Sequence, residues 1–240
     1  MLTIISVSGL AWVVDAGQPG RMHEGIPPGG PLVPELFAAA NRAQGNDARA
    51  PALEVHGRLV ADLDGETLET ISAPLRVGYL AVPGGLVVPR HQAMPLFSRP
   101  ARRGDRFEVG PARGAPIAAP DWAPGAEIRV VLGPDAPVPG LLESTFVISA
   151  LGDRTGVRLT GRLPSPPPPS GISAPMVCGA IQLPPSGEPI VLGPDHPTTG
   201  GYPVIATIIS EDRGRFFARP PGAEIRFQAA LRQTALCSLS

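Results

Sequence analysis

The sequence predicts a mainly β protein of two subdomains with a few short helices, and three observations carry that expectation. Gly 29 and Pro 32 among 240 residues place turn formers throughout the chain. A hydrophobic content of 43% comes as short Val/Ile/Leu clusters between those turns, the size of strands, which argues for a folded chain over a disordered one. The length suits two small units of roughly 100 residues each.

The first unit is expected over 1–125. Residues 2–14 predict a strand, a turn at Ser8-Gly9 and a second strand, because Ile4, Val7, Trp12, Val13 and Val14 favour β structure on both sides. Glycines and prolines then recur from 15 to 30. PELFAAANRAQGN predicts a helix: Pro34 suits the first turn, Leu36, Phe37, Ala40 and Ala43 lie at helical spacing, and Gly45-Asn46 ends it. Strands follow at 52–62, 67–72, 76–82 and 85–89, with a turn at Gly84-Gly85. Residues 90–125 predict loop, with a short strand around 107–109.

The second unit is expected over 126–235. EIRVVLGP predicts its first strand, and FVISA at 146–150 and VRLTG at 157–161 continue the pattern. LPSPPPPSG at 163–171 has four adjacent prolines that cannot donate, so it predicts an exposed polyproline-like spacer. Ser210 is placed to cap a short helix through Phe216, Phe217 and Ala218; Pro220-Pro221-Gly222 turns the chain into a last strand at 224–227.

Composition excludes several chemistries. All 20 basic residues are arginine, so a Schiff-base lysine, a lysine-dependent phosphate loop and a biotinyl-lysine are ruled out within these residues. A net charge of −1 with two Tyr and two Trp gives neither a basic face nor a stacking surface, so no nucleic-acid partner is expected. Cys178 and Cys237 are too few for a disulfide framework, and the N-terminal residues lack a signal peptide's basic region and cleavage site, which points to the cytoplasm. No apolar run reaches the roughly 18 to 20 residues of a membrane helix, so no membrane partner is expected. His23, His56, His91 and His196 sit apart, without metal-ligand spacing. The elbow of serine hydrolases, the dinucleotide glycine pattern and the Walker loop are missing.

What remains is a set of polar residues on glycine-rich turns, where chemistry tends to sit on β scaffolds. Asp15, Gly17, Gly20, His23 and Gly25 come early, Asp153 and Arg154 with Gly156 in the middle, and Gln182, Asp195, Thr198, Thr199 and Tyr202 late. The run Thr198-Thr199-Gly200-Gly201-Tyr202 stands out: paired glycines call for positive φ or a close approach, and the hydroxyls can hold an oxyanion or amide. A structural role is open for each of them, since turn residues commonly serve the turn. Cys178, with nothing basic beside it in sequence, reads as a buried small side chain and not as a nucleophile.

The order of these pieces resembles the family of biotin-dependent carboxyltransferase subdomains A and B, which includes the C subunits of 5-oxoprolinase, allophanate hydrolase subunit 2 and KipA-like proteins. VVDAGQPGRMHEGIPPGGP at 13–31 is similar to the family's opening block, and NRAQGNDARAPALEVHG and GYLAVPGG to its next two blocks. GDRTGVRLTG at 152–161 and GAIQLPPSGEPIVLGPDHPTTGGYPVIATIIS at 179–210 are the specific part, and PPGAEIRF closes the match. The resemblance implies two cyclophilin-like β-barrel subdomains, the first one trimmed. It also implies a cleft shared with a companion carrying subdomains C and D, resembling the B subunit of 5-oxoprolinase or a KipI-like protein.

In one branch that pair, with a third protein of the lactam-utilisation type, hydrolyses 5-oxoproline to glutamate with ATP as co-substrate of the complex. In another, related domains transfer carboxyl from a biotin carried on a separate chain to urea or a similar amide; a third role is non-enzymatic binding or regulation. For the site, the resemblance implies Thr198, Thr199, the Gly200-Gly201 amides and Arg154 as donors to a developing oxyanion, and Asp195 or Asp153 as base or orienting group. His23, Gly25, Gln182, Gly200, Gly201 and Tyr202 are implied as substrate-binding. This chain departs from the family pattern at Gly29 and Val33, where Ser and Asp are usual, and at Ala174, His196 and Val204, where Glu, Arg and Lys are usual.

Overall fold

The computed structural model describes residues 1–88, 99–110, 127–133, 138–163 and 173–230. The proline-rich spacer beyond Leu163, most of the loop expected at 90–125, His91 and Cys237 lie outside these residues. The fold is mainly β: a curled, open sheet followed by a closed barrel.

The first sheet is built on two long antiparallel strands, β1 (Leu2–Val14) and β2 (Ala52–Leu63), paired from Leu2↔Leu63 to Val14↔Ala52. The turn expected at Ser8-Gly9 is absent and β1 runs straight through. Gly9 lies opposite Gly57, both at positive φ (108° and 114°), and a Cβ on either would collide with the carbonyl oxygen of His56 or Ser8. The glycine pair thus serves a close strand crossing, a use that reads like a turn in sequence. Gly9→Ala is expected to lower stability by more than ~1 kcal/mol in urea titration, because both the conformation and the space exclude a side chain.

Helix α1 (Pro34–Ala43) follows β1 and begins on its proline, whose missing N–H costs nothing there. Asn46 does more than end it. Its side chain donates to Val82 O and accepts from Gly84 N–H, both at 2.8 Å, while buried Asn41 donates to Ala50 O at 2.8 Å. The 44–50 loop is therefore fixed at both ends. β3 (Glu66–Ile71) and β4 (Gly78–Leu80) pair with β2, and β5 (Leu86–Val87), β6 (Arg99–Pro100) and β7 (Arg106–Val109) complete the sheet.

The barrel closes in the order β10-β13-β12-β15-β8-β16-β9. Its strands are β8 (Glu127–Leu132), β9 (Thr145–Gly152), β10 (Gly156–Thr160), β12 (Ala180–Gln182), β13 (Ile190–Leu192), β15 (Val204–Ile208) and β16 (Glu224–Ala229). Two further short strands, β11 (Ala174–Pro175) and β14 (Thr199–Gly200), form a separate antiparallel arm. Alternation along β8 and β16 sends Ile128, Val130, Ile225 and Phe227 inward onto Phe146 and Ile148. Leu32, Val33 and Val77 of the first unit are buried in the same cluster, so the two units share a core.

Helix α2 (Ser210–Phe217) seals the barrel with Phe216 and Phe217. Ser210, expected as its cap, is already helical; Ile209 holds the cap position without a side-chain bond. Asp212 pins the first turn instead. Its buried carboxylate accepts from Arg129 N–H (2.8 Å), Nε (2.9 Å) and Nη2 (2.8 Å). A charge in the first helical turn suits the dipole, and the long-range tie replaces the local cap.

Candidate functional site

The tight β9–β10 turn splits two neighbouring residues between two environments. Asp153 is exposed, and its Oδ1 accepts from Thr155 N–H (2.8 Å) and Gly156 N–H (3.3 Å), an arrangement that shapes the turn. Arg154 is 3% exposed and reaches across to the first unit. Its Nε and Nη2 donate to the two oxygens of Asp195 at 2.8 and 3.1 Å, Nη1 to Glu54 Oε1 at 2.6 Å, and Nη2 to Gly30 O at 2.6 Å.

Glu54 is wholly buried at an inward position of β2. Beyond Arg154 it accepts from Leu32 N–H and Tyr79 Oη, both at 2.8 Å, and lies 3.0 Å from His56 Nε2. Tyr79 Oη accepts in turn from Val33 N–H at 2.9 Å. Gly29 N–H donates to Pro194 O at 3.0 Å. These bonds pin residues 29–33 from both units. One arginine, two carboxylates, a phenol and a backbone loop thus form one buried hub, satisfied nearly throughout.

Burial, the largest influence on Glu54, pushes its carboxyl up; the Arg154 charge, His56 and the Leu32 N–H outweigh it and hold it at about 2. Burial also opposes the charge of Arg154, yet Glu54 and Asp195 raise its pKa. Burial first and the neighbouring Glu54 charge second keep the Tyr79 phenol protonated. A carboxylate depressed from 4.5 to about 2 adds stability that is full above the unfolded value and disappears as pH falls through the folded one. Wild type is expected to lose roughly 3 kcal/mol between about pH 4.5 and pH 2 that a Glu54→Gln variant does not lose, measured by urea unfolding across that range.

Beside the hub lies a cavity of about 450 Å³, within the range of small-molecule sites. The pinned loop, α1 and the 44–50 loop bound it on one side, and Cys178, Pro194 and α2 on the other. Arg49 and Arg213 are its charged lining residues. Cys178 has a basic neighbour after all: Arg213 reaches it from α2, although burial dominates and raises the thiol's pKa, so it stays protonated at neutral pH. Sequence separation hid that pairing.

The 198–202 run stands elsewhere. Thr199 and Gly200 pair with Pro175 and Ala174 in the arm, and Thr199, Gly201 and Tyr202 are exposed. Neither Gly200 nor Gly201 has positive φ. Gly200 is needed for space, since a Cβ there would lie 2.7 Å from Gln182 Nε2. Gln182 is buried beneath the arm, 3.2 Å from Met176 Sδ and 3.4 Å from Tyr202 O. His23 and Gly25 belong to an exposed 3-10 turn, Met22–Glu24, and its capping glycine. The structure therefore joins Asp195 with Arg154, and Gln182 with Gly200 and Tyr202, and leaves His23, Gly25 and Asp153 apart from both groups. Among the described residues no group of three or more His, Cys, Asp or Glu is placed to hold a metal ion, and no helix is long and apolar enough to cross a membrane.

A family model described as carboxyltransferase domain, subdomain A and B, matches residues 64–229. The chain belongs to the carboxyltransferase subdomain A and B family. Within that family it is similar to the 5-oxoprolinase C subunit of Escherichia coli, 29% identical over 98% of this chain and 93% of that protein. The Haemophilus influenzae protein of the same name is 28% identical at the same coverage. The crystal structure of TTHA0988 superposes with a TM-score of 0.82 at 29% identity over 95% of this chain, which spans 55% of that one. Urea carboxylase of Kluyveromyces lactis, at 20% identity and a TM-score of 0.75, covers 96% of this chain, which spans 27% of it, and shares the fold.

For this carboxyltransferase-family chain, the residues that sequence reasoning passed over are Glu54, Tyr79, Arg49 and Arg213. Glu54 did carry a signal. A carboxylate inside the strand segment ALEV, between Leu53 and Val55, demands a buried partner.

Proposed function

We propose that this chain is part of an ATP-dependent 5-oxoprolinase-type complex that converts 5-oxoproline to glutamate. The observation that carries the reading is end-to-end similarity to the 5-oxoprolinase C subunits of two bacteria. The partner is a companion with subdomains C and D, joined by a third protein of the lactam-utilisation type. TTHA0988, whose chain is nearly twice as long as the part matched here, supports a companion of comparable size. ATP serves the complex, and any biotin is carried on another chain, since these residues contain no lysine.

In this reading the exposed arm offers the Thr198 and Thr199 hydroxyls and the Gly200-Gly201 amides to a carbonyl oxygen that gains charge, with Gln182 and Tyr202 beneath and beside them. Arg154 and Asp195, engaged with each other and with Glu54, act as positioning residues behind it. Asp153, His23 and Gly25 are free to meet the companion or the substrate from the surface. Co-expression with the companion and the lactam-utilisation protein tests the proposal. Purified complex given ATP and 5-oxoproline should release glutamate; a complex that assembles and releases none sinks it.

One observation favours a second reading, a non-enzymatic binding or regulatory role. Val33, where the family usually carries Asp, is 0% exposed and packed into the barrel core. A charge usual in the family is here replaced by core packing, which serves the fold and not a reaction.

A further inference from the structure

Two arginines of this chain turn the same edge of the guanidinium to a buried carboxylate. Arg154 gives Nε and Nη2 to the two oxygens of Asp195 at 2.8 and 3.1 Å, and Arg129 gives the same pair to Asp212 at 2.9 and 2.8 Å. Arg219 holds that edge empty. It is 8% exposed, and its Nε and Nη2 are buried without a hydrogen-bond partner. Among the described residues its head is tied only from Nη1 to Glu224 O, at 3.2 Å, and it enters no ion pair. Burial lowers its pKa and no neighbouring charge offsets that. Arg76 also has an open buried nitrogen, Nη1, but the Asp153 charge acts on it and its Nη2 donates to Gly152 O at 2.8 Å.

A buried cation without an anion is costly, and a guanidinium fork left open on its Nε and Nη2 side matches a planar carboxylate. The surroundings keep the site shallow. Arg219 follows α2 closely, and its side chain spans the turn that leads to Glu224, whose Pro221 and Gly222 are exposed. The backbone there is fixed: Arg219 N–H donates to Phe216 O at 3.2 Å and Gly222 N–H to Ile148 O at 2.8 Å. An anchored stem with a loosely tied head needs only a short rotation to bring the open edge to the surface. We infer that Arg219 receives one carboxylate through Nε and Nη2, as Arg154 and Arg129 do. The group comes from an Asp or Glu side chain of a protein partner or from a small free acid, and both offer the same pair of oxygens. Arg219 belongs to neither the hub, the arm nor the cavity lining, and it takes no part in the proposed reaction.

Acetate is the probe for the isolated chain at neutral pH, against sodium chloride at equal ionic strength. With a Kd of about 10 mM, acetate at about 100 mM should raise the wild-type Tm by roughly 3 to 6 °C over chloride. Arg219→Met removes a buried cation that has no partner, so without acetate its Tm should equal or exceed that of wild type, and its acetate response should vanish. Arg219→Lys keeps the charge without the fork and should respond weakly. A second arm, which rests on the companion of the proposed complex, measures affinity for that companion. A loss of about tenfold or more in Arg219→Met assigns the carboxylate to a partner side chain, and an acetate response with unchanged affinity assigns it to a free acid. A Tm several degrees below wild type in Arg219→Met shows that the fold itself satisfies the guanidinium and overturns the inference. So does a variant that matches wild type in both acetate response and partner affinity. Neither arm reads glutamate release, so failure of the 5-oxoprolinase reading leaves the acetate result standing.

Discussion

Replacing Arg154 with Met is expected to lower the unfolding free energy by about 3 to 5 kcal/mol, because Glu54 and Asp195 then stay buried without their cation. At this chain length each kcal/mol moves Tm by roughly 2 to 4 °C, so Tm should fall by roughly 10 °C, measured by calorimetry. An exposed arginine would show almost none of this. Arg154 is 3% exposed and bonded on both sides of the unit boundary, so its loss also releases the 29–33 loop and the cavity wall that loop forms. Arg129→Ala provides a contrast: its partly exposed guanidinium leaves a single buried carboxylate, Asp212, which keeps the Arg129 backbone N–H.

Thr199→Val should cut glutamate release by the complex about 100-fold, the usual cost of one oxyanion donor, while partner affinity and Tm stay close to wild type. Thr199 is exposed in the arm, and Val keeps its size and β preference, so folding gives no alternative explanation for lost activity. Asp195→Ala should also abolish activity, but with a fall in Tm, since it removes a partner of Arg154. The difference between the two variants separates a contacting role from a positioning one. Should neither change activity, the arm and the hub lie outside the reaction, and the non-enzymatic reading gains.

The parts of the fold legible in sequence were those governed by local periodicity. Alternation predicted β8 and β16, and Pro34 with Gly45-Asn46 bracketed α1. Gly9 misled because turns and close strand crossings both need glycine, and only its partner Gly57, across the sheet, distinguishes them. Site residues were less legible. Asp153 and Arg154 are adjacent in sequence, yet the hairpin turns one to solvent and the other into the interior. Asp195 and the 198–202 run share a motif, but one faces the hub and the other forms the arm. The cavity joins residues from 16 to 49 with others from 178 to 217, a pairing set by packing between units that no local pattern records.

The central structural claim is that one buried arginine couples the two units through Glu54 and so shapes the cavity between them. A double-mutant cycle of Arg154→Met and Glu54→Gln, read by urea unfolding, tests it most directly. The two changes should be non-additive by at least about 1.5 kcal/mol, the double variant losing less than the sum of the singles. Additivity within about 0.5 kcal/mol would contradict the claim and leave the two units without their energetic link.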